Sequence, residues 1–180
     1  MLGAQTLRWP VRLVNRPVPA LDCARMGVTG ILHTGLTVSD LDRSIAFYRD
    51  LLGLELIAQW DSSLPYLRAI VAYPDAELRI ALLRLPQSGD GAPGHHIELL
   101  EYRRPRGQRG DPNTYNPGNG HVAFMVADID TTYAELSAKG VRFKSAPVPI
   151  THGRNAGAKG VYLFDPDDIT LEMIQPAART

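Results

Sequence analysis

The chain has 180 residues, the length of one domain or of two small modules that share a core. Its 19 basic residues balance its 19 acidic residues, so no excess charge favours nucleic acid or an anionic membrane as a partner. No apolar run reaches the roughly 18 residues that a membrane-spanning helix needs. The single cysteine, Cys23, excludes an internal disulfide and fits the reducing cytoplasm, where we expect the protein.

The N-terminal segment lacks the periodicity of a folded element. Arginines and prolines alternate in it, and it has no continuous apolar stretch of signal-peptide length. We interpret residues 1–29 as a poorly ordered extension and residues 30–176 as a single domain. Met26 is a candidate for the native start, a hypothesis that N-terminal sequencing tests.

The first predicted element is an apolar strand, Ile31–Val38, which contains His33. A helix follows it. Ser39 or Asp40 can cap the helix N-terminus, the apolar residues of the next segment fall mostly on one helical stripe, and Gly53 ends the helix. Residues 54–60, rich in large apolar side chains, are predicted to form the second strand.

Strands dominate the rest of the first half. Residues 66–86 read as two strands around a turn at Pro74–Asp75, because apolar runs flank the turn-forming residues. Residues 87–94 have the composition of a loop, and residues 95–103 read as a further strand. A long polar connection rich in glycine and proline comes next.

The pattern then restarts. His121 leads a strand as His33 does, Asp128 stands at the start of a helix, and Gly140 ends that helix. The histidine and the helix-ending glycine are 20 residues apart in the first copy and 19 in the second. A strand is predicted directly after Gly140, and two more strands follow it around a turn at residues 165–168.

The chain therefore reads as a duplicated unit. Module 1 covers residues 30–105, module 2 covers residues 119–176, and residues 106–118 connect them.

Four residues of the metal-ligand type stand at equivalent places in the two modules. His33 and His121 lie in the first strands, and Glu98 and Glu172 lie in the last strands between apolar neighbours. A buried carboxylate is costly unless it is paired or bound to a cation. Two imidazoles and two carboxylates suit a divalent metal ion such as Zn, Ni, Co, Mn or Fe(II), and leave room for substrate. We predict a metal site formed by these four residues.

Other histidines and acids compete for this role. His95 and His96 follow a loop and are expected to line the mouth of a site, and His152 lies in a second loop. Glu101 is expected on the strand face opposite Glu98, as a surface charge. Each candidate alone is explained by packing or solvation, so the symmetric placement of the four is what favours the metal.

Several segments together resemble the vicinal oxygen chelate superfamily. They are "HTGLTVSDLDRSIAFYRDLLGLEL", "HIELLEY", "GHVAFMVADID" and "YLFDPDDITLEMIQP". The superfamily includes glyoxalase I, methylmalonyl-CoA epimerase, extradiol dioxygenases, fosfomycin-resistance enzymes and bleomycin-resistance proteins, and the resemblance covers residues 31–176. It implies an α+β fold of two βαβββ modules, which form a curled mixed sheet around a metal site. It also assigns the ligand roles to His33, Glu98, His121 and Glu172.

The ligand set guides the choice among activities. The dioxygenases and fosfomycin enzymes of this superfamily use two histidines and one glutamate, whereas here Glu98 supplies a fourth ligand. The resemblance therefore favours a metal-dependent lyase or isomerase that acts on a small substrate with vicinal oxygens through an enediolate or enolate. The resemblance to glyoxalase I makes Glu172 the catalytic base. A non-haem Fe(II) dioxygenase and a small-molecule-binding or resistance protein remain alternatives.

The likeness to glyoxalase I is incomplete. Tyr102 replaces an expected asparagine, and Pro117 stands where an arginine would hold glutathione. Residues 67–73, read as the third strand of module 1, lack the second acid of the epimerases. Arginines 103, 104, 106 and 109 are read either as a clamp for an anionic substrate or as a solvated loop. The resemblance implies a homodimer and leaves open whether the site forms within one chain or across two.

Overall fold

The computed structural model describes residues 28, 30–86 and 96–178. Apart from Val28, the predicted extension lies outside the described residues. His95, one of the competing candidates, lies outside them as well.

The described residues contain two four-stranded sheets of matching topology. Sheet A has the order β1-β4-β3-β2 and sheet B the order β5-β8-β7-β6. In each sheet the first strand pairs parallel with the last strand, and the other pairs are antiparallel. This arrangement confirms the predicted α+β fold and its internal duplication. The strands are β1 His33–Thr37, β2 Glu55–Ser62, β3 Glu77–Arg84, β4 His96–Arg104, β5 Val122–Met125, β6 Val148–Pro149, β7 Lys159–Phe164 and β8 Thr170–Gln175.

The two predicted helices form where their signals place them. Helix α1, Leu41–Ala46, continues as a π-helical turn, Phe47–Leu51, and helix α3 spans Ile129–Ala138. Asp40 and Asp128 cap the two N-termini with their side chains. Gly53 and Gly140 follow the helices with φ of 77° and 84°, a left-handed conformation that glycine adopts at little cost.

One predicted strand is wrong, because residues Pro65–Val71 form helix α2. Proline is well placed in the first turn of a helix, where its missing N–H costs nothing. Leu67 and Val71 lie one turn apart, and they pack with Leu78 and Ile80 into a small hydrophobic cluster on sheet A. This tertiary packing outweighs the strand propensity of the segment "AIV".

The second strand of module 2 is also reduced. Instead of a strand directly after Gly140, the structure has an isolated bridge between Phe143 and Leu163 and the two-residue strand β6. Pro149 ends β6 and has no N–H to donate to a ladder, which confines such a segment to the sheet edge.

A single hydrophobic core joins the two modules. Leu41, Tyr48 and Leu99 of module 1 are fully buried in the same cluster as Ile129 and Leu171 of module 2. The helices α1 and α3 thus cover one face of each sheet. Among the described helices, none is long and apolar enough to cross a membrane.

A buried carboxylate connects the modules at the surface of this core. Asp167, whose side chain is 6% exposed, accepts hydrogen bonds from the backbone N–H and hydroxyl of Ser39 at 2.8 and 2.5 Å. Arg43 and Arg109 also bind it, at 2.8 and 2.7 Å. The turn between β7 and β8 is therefore fixed to the start of α1 and to the connection. Asp168 in this turn has a φ of 66°, a left-handed conformation that aspartate tolerates better than most residues.

Candidate metal centre

The first strand and the last strand of module 1 bring a histidine and a glutamate together. The parallel pairing of β1 with β4 sets His33 beside His96 and Gly35 beside Glu98, so His33 and Glu98 share the sheet face that the helix α1 leaves open. His33 Nε2 lies 3.4 Å from Glu98 Oε2, and the side chains are 38% and 20% exposed.

Module 2 repeats this geometry. The pairing of β5 with β8 sets Ala123 beside Glu172, and His121 directly precedes β5. His121 Nε2 lies 3.1 Å from Glu172 Oε2, and the side chains are 37% and 20% exposed. The four predicted residues thus form two equivalent histidine–glutamate pairs, one on the open face of each sheet.

In both modules, a side chain three residues beyond the glutamate fixes its strand to a helix. Three residues beyond Glu98, Glu101 Oε2 accepts a hydrogen bond of 3.1 Å from the N–H of Leu41, the first residue of α1. Three residues beyond Glu172, Gln175 Oε1 accepts one of 3.0 Å from the N–H of Ile129, the first residue of α3. Each last strand is thereby fixed to the helix N-terminus of its own module.

This contact corrects the expectation for Glu101. Its side chain does lie opposite Glu98, but it is only 12% exposed and pairs with Arg79 at 3.2 Å, so it is not a free surface charge. The Arg79 guanidinium also binds Asp42, whose pKa lies below its ordinary value chiefly because of that hydrogen bond.

Each pair fits part of the coordination sphere of a divalent ion. Ligand bonds of about 2.0–2.2 Å at tetrahedral or octahedral angles separate neighbouring donor atoms by about 3 Å, close to the separations in both pairs. Imidazole and carboxylate are donors that Zn, Ni, Co, Mn and Fe(II) accept. Two donors are fewer than any of these ions needs from a protein.

The two pairs do not converge within the chain. In the part that the structure describes, which includes all four residues, no group of three or more His, Cys, Asp or Glu side chains is arranged to hold a metal ion. A complete site with four protein ligands therefore requires donors from a second chain or a change in how the modules are arranged.

Tyr162 adds a third polar group to the module 2 pair. Its hydroxyl lies 3.5 Å from His121 Nε2, and its ring centroid lies 5.0 Å from that of the imidazole. Burial, together with the negative charge of Glu172, raises the pKa of Tyr162 above its ordinary value. The corresponding place in module 1, beside Glu98, holds Leu82.

Four other aromatic residues have surroundings different from those of Tyr162. Tyr66 and Tyr115 are 57% and 78% exposed, and Phe124 packs against the main core. Tyr102 packs against the cluster under α2. Only the cross-strand pairing of Tyr162 with Glu172 could have distinguished it, and that register requires both strands to be aligned.

Two of the four arginines in and before the connection pair with acidic side chains. Arg109 binds Asp168 at 2.9 Å and Asp167 at 2.7 Å, and Arg104 lies 3.8 Å from Glu77. Arg109 therefore stabilises the connection against module 2. A cavity of about 810 Å³ lies beside it, lined by residues 34–39, 106–112, 118–122 and 167–170 together with Tyr102.

His96 lies beside His33 on β4, but its ring, like that of His152, contacts a group outside the two pairs. His96 Nδ1 contacts the carbonyl oxygen of Leu32 at 3.3 Å, and His152 Nδ1 contacts the hydroxyl of Thr151 at 2.8 Å. Neither contact includes a carboxylate.

Residues 67–71 form a helix and are not the third strand of module 1. The second acid of the epimerases must therefore be looked for on another strand. The third strand is β3, where Leu82 faces the site beside Glu98, and Ala58 of β2 follows in the same row. No acid adjoins Glu98 in this row, although β3 itself begins with Glu77.

Comparison with known proteins gives consistent matches. The family model "Glyoxalase/Bleomycin resistance protein/Dioxygenase superfamily" matches residues 30–173. A 2-epi-5-epi-valiolone epimerase from Actinomyces sp. is 34% identical over 152 residues, which are 82% of this chain and 80% of that protein. A probable lactoylglutathione lyase from Synechocystis sp. is 30% identical over 151 residues, 83% of this chain and 97% of that protein.

Solved structures share the fold. A glyoxalase family protein from Bacillus cereus superposes with a TM-score of 0.72 at 18% identity, over 86% of this chain and 99% of that chain. A glyoxylase/bleomycin resistance protein/dioxygenase domain from Frankia sp. gives a TM-score of 0.62 at 22% identity, over 86% and 96% of the two chains.

Proposed function

Since the chain belongs to the glyoxalase/bleomycin resistance protein/dioxygenase superfamily, we propose that it is a divalent-metal-dependent lyase or isomerase. Its substrate is a small molecule with vicinal oxygens. The observation that carries the proposal is the duplicated histidine–glutamate pair, with donor atoms 3.4 and 3.1 Å apart. Relatives named as an epimerase and as lactoylglutathione lyases support the reaction class.

The proposed metal site forms between two chains of a homodimer. His33 and Glu98 of one chain and His121 and Glu172 of the other would supply four ligands to each ion. A two-fold axis then generates two identical sites, because the same two surfaces face each other twice. The open faces of the two sheets carry the exposed apolar residues Trp60 and Met125, which suit such an interface.

The chemistry follows from this ligand set. The four residues would hold the ion, which would supply Lewis-acid stabilisation of negative charge on vicinal oxygens of the substrate. Substrate would displace Glu172 from the ion, and the freed carboxylate would abstract the proton next to the carbonyl. It would return that proton to the neighbouring carbon or to the opposite face of the same carbon.

Lactoylglutathione is not the substrate that we propose. Pro117 replaces the arginine expected to hold glutathione, and Arg109 is already bound to Asp167 and Asp168. A smaller substrate without a peptide arm fits these residues better. With a single cysteine in the chain, we place the enzyme in the cytoplasm.

The two alternatives make different demands on Glu98. An Fe(II) dioxygenase would leave this glutamate out of the coordination sphere. The 3.4 Å contact between Glu98 and His33 argues against that assignment. A binding protein that only sequesters its ligand has no need for four ligand residues, and this chain keeps all four.

A complementation experiment tests the proposal. One variant carries His33→Ala with Glu98→Ala, and the other carries His121→Ala with Glu172→Ala. Each variant alone should bind metal weakly, whereas a purified mixed dimer should hold about one ion against about two in the wild-type dimer, since a two-fold dimer has two equivalent sites. Bound metal is measured by elemental analysis after reconstitution, without an affinity tag that contains histidine.

Other outcomes would overturn parts of the proposal. A mixed dimer without metal would contradict a site shared between chains. A Glu98→Ala variant that keeps Fe(II) and turns over only with oxygen would favour the dioxygenase. A wild-type protein that binds no metal after reconstitution would leave a binding protein.

A further inference from the structure

Gly160 lies in strand β7, next to the glutamate that serves as base in the proposed reaction. Its φ is outside the left-handed region, so the backbone conformation does not require glycine. Glycine weakens a strand, because it loses more conformational freedom on folding than other residues and brings no side chain to pack. A glycine without a backbone reason marks a place where another group needs the space.

The space beside Gly160 is bounded by Glu172 and by Ile150. A Cβ atom at residue 160 would lie 3.8 Å from Glu172 Oε1 and 3.6 Å from Ile150 Cδ1, so a methyl group would fill the space without displacing either side chain. Backbone hydrogen bonds fix Ile150, whose N–H donates to the Ala158 oxygen at 2.8 Å and whose oxygen accepts from the Gly157 N–H at 2.9 Å. A small space therefore stays open next to the carboxylate.

This space lies on the side of Glu172 that faces away from its histidine. In the sheet order β5-β8-β7-β6, Glu172 is on β8, His121 directly precedes β5 on one side, and Gly160 is on β7 on the other side. The two carboxylate oxygens divide accordingly, since Oε2 lies 3.1 Å from His121 Nε2 and Oε1 is the oxygen next to Gly160. A carboxylate that swings away from the imidazole therefore moves toward Gly160.

Module 1 closes the equivalent place. Ile80 of β3 corresponds to Gly160 of β7, because each stands two residues before the cross-strand partner of its module's glutamate. The Ile80 side chain is 3% exposed and packs in the hydrophobic cluster under helix α2. On the side away from the histidine, Glu98 thus faces a strand position filled by a large side chain. Of the two glutamates, only Glu172 has room to move in this direction.

We propose that Gly160 is a positioning residue, which keeps open the space into which the Glu172 carboxylate moves when it acts as the base. The inference rests on the function proposed above. It gives a physical reason why two glutamates at equivalent places differ in role, with Glu98 as a permanent ligand and Glu172 as a ligand that can also leave. Gly160 thus acts on the reaction through Glu172.

The test compares Gly160→Ala with Gly35→Ala as the matched control. Gly35 lies in β1 beside Glu98, and a Cβ atom there would lie 3.8 Å from Glu98 Oε2. Calorimetry follows the titration of Co(II) or Zn(II) into each metal-free variant, and then of acetohydroxamate, whose two vicinal oxygens should displace Glu172 as the substrate would. Gly160→Ala is also combined with Glu172→Ala, which leaves no carboxylate to move.

Gly160→Ala should keep or raise the thermal unfolding midpoint, since alanine fits the space and restricts the unfolded chain. It should bind the metal within about twofold of wild type but bind acetohydroxamate about tenfold more weakly, the effect of forcing a group into a space that a methyl already fills. In the Glu172→Ala protein saturated with metal, Gly160→Ala should no longer change the acetohydroxamate affinity, because a coupling disappears with its partner. Gly35→Ala should leave both affinities unchanged.

Four outcomes would overturn the inference while leaving the proposed function intact. Acetohydroxamate affinity could be unchanged in Gly160→Ala, or equally weakened in Gly35→Ala. The loss could persist in the Glu172→Ala protein, which would show that the methyl group obstructs the ligand itself. A large loss of metal affinity in Gly160→Ala would show that Gly160 supports the ligand position of Glu172 and not its movement. A wild-type protein that takes up no metal would overturn the proposed function, and with it this inference, before any variant is compared.

Discussion

His33 and Glu98 illustrate what single residues reveal. Neither residue is informative alone, since a strand histidine commonly belongs to a core and a strand glutamate commonly faces solvent. Their repetition as His121 and Glu172 led to the prediction of one metal site with four ligands, whereas the structure brings the residues together as two separate pairs, at 3.4 and 3.1 Å. The contact of Tyr162 with His121 could not be predicted in this way, because the equivalent place in module 1 holds Leu82.

Glu172 gives the prediction that belongs to this scale. Glu172→Gln keeps the size of the side chain but removes the base, so kcat on the identified substrate should fall at least about 100-fold. The variant should keep its circular dichroism spectrum and its unfolding midpoint. Glu135→Gln, an exposed change on helix α3, is the matched control and should leave kcat unchanged. Full activity in Glu172→Gln would exclude this residue as the base.

Among the secondary-structure elements, those with local signals were predictable. The caps at Asp40 and Asp128 and the stops at Gly53 and Gly140 act on their own neighbours in sequence, and all four form as expected. Helix α2 was not predictable, because its packing on β3 decides the conformation of a segment whose local propensity favours a strand.

The link between last strand and helix is testable in module 2. Gln175→Ala removes the acceptor of the Ile129 N–H and should lower the free energy of unfolding by about 1 kcal/mol, as the loss of an N-terminal cap does. Gln175→Glu reproduces the residue type found at Glu101 and keeps the acceptor. It should stay close to wild type, since a carboxylate is favourable at a helix N-terminus. Urea unfolding measures both variants, and equal stability of Gln175→Ala and wild type would refute the role.

For the whole molecule, the sequence predicted two modules but not the contacts that hold them together. Asp167 joins the modules through hydrogen bonds from Ser39, Arg43 and Arg109, which are remote from it in sequence. Such contacts follow from the packing of two folded units, and no local pattern announces them. Arg109, one of the four arginines read either as a substrate clamp or as a solvated loop, is for this reason a structural residue.

The pH dependence of stability should reveal the contribution of Asp167. Burial alone would raise the pKa of Asp167, but the hydrogen bonds from Ser39, Arg109 and Arg43 outweigh it and hold the pKa below its ordinary value of 3.8. A carboxyl whose pKa is lower in the folded state stabilises the protein above its unfolded pKa, and this contribution is lost as the pH falls through the folded pKa. Buried Asp165, whose pKa burial raises, contributes with the opposite sign.

Asp167→Asn should therefore lower the free energy of unfolding by about 2 kcal/mol at pH 7, because charged hydrogen bonds are lost from a buried position. The difference from wild type should begin to shrink below about pH 4, where the carboxyl of the unfolded wild-type chain takes up a proton, and should keep shrinking as the pH falls toward the lower folded pKa. Asp61→Asn, at a side chain that is 70% exposed, is the control and should change little. Urea unfolding between pH 3 and 7 gives the comparison, and a difference that does not depend on pH would contradict the assignment.

The parallel pairing of first and last strands also sets an order of events during synthesis. β1 leaves the ribosome before the rest of module 1 but can pair only with β4, and β5 must wait in the same way for β8. His121 and Glu172, for example, are 51 residues apart in the chain. Contacts between distant residues form late and slow the folding of the unit that contains them. Each histidine–glutamate pair therefore forms only after the last strand of its module has been synthesised and has paired with the first strand.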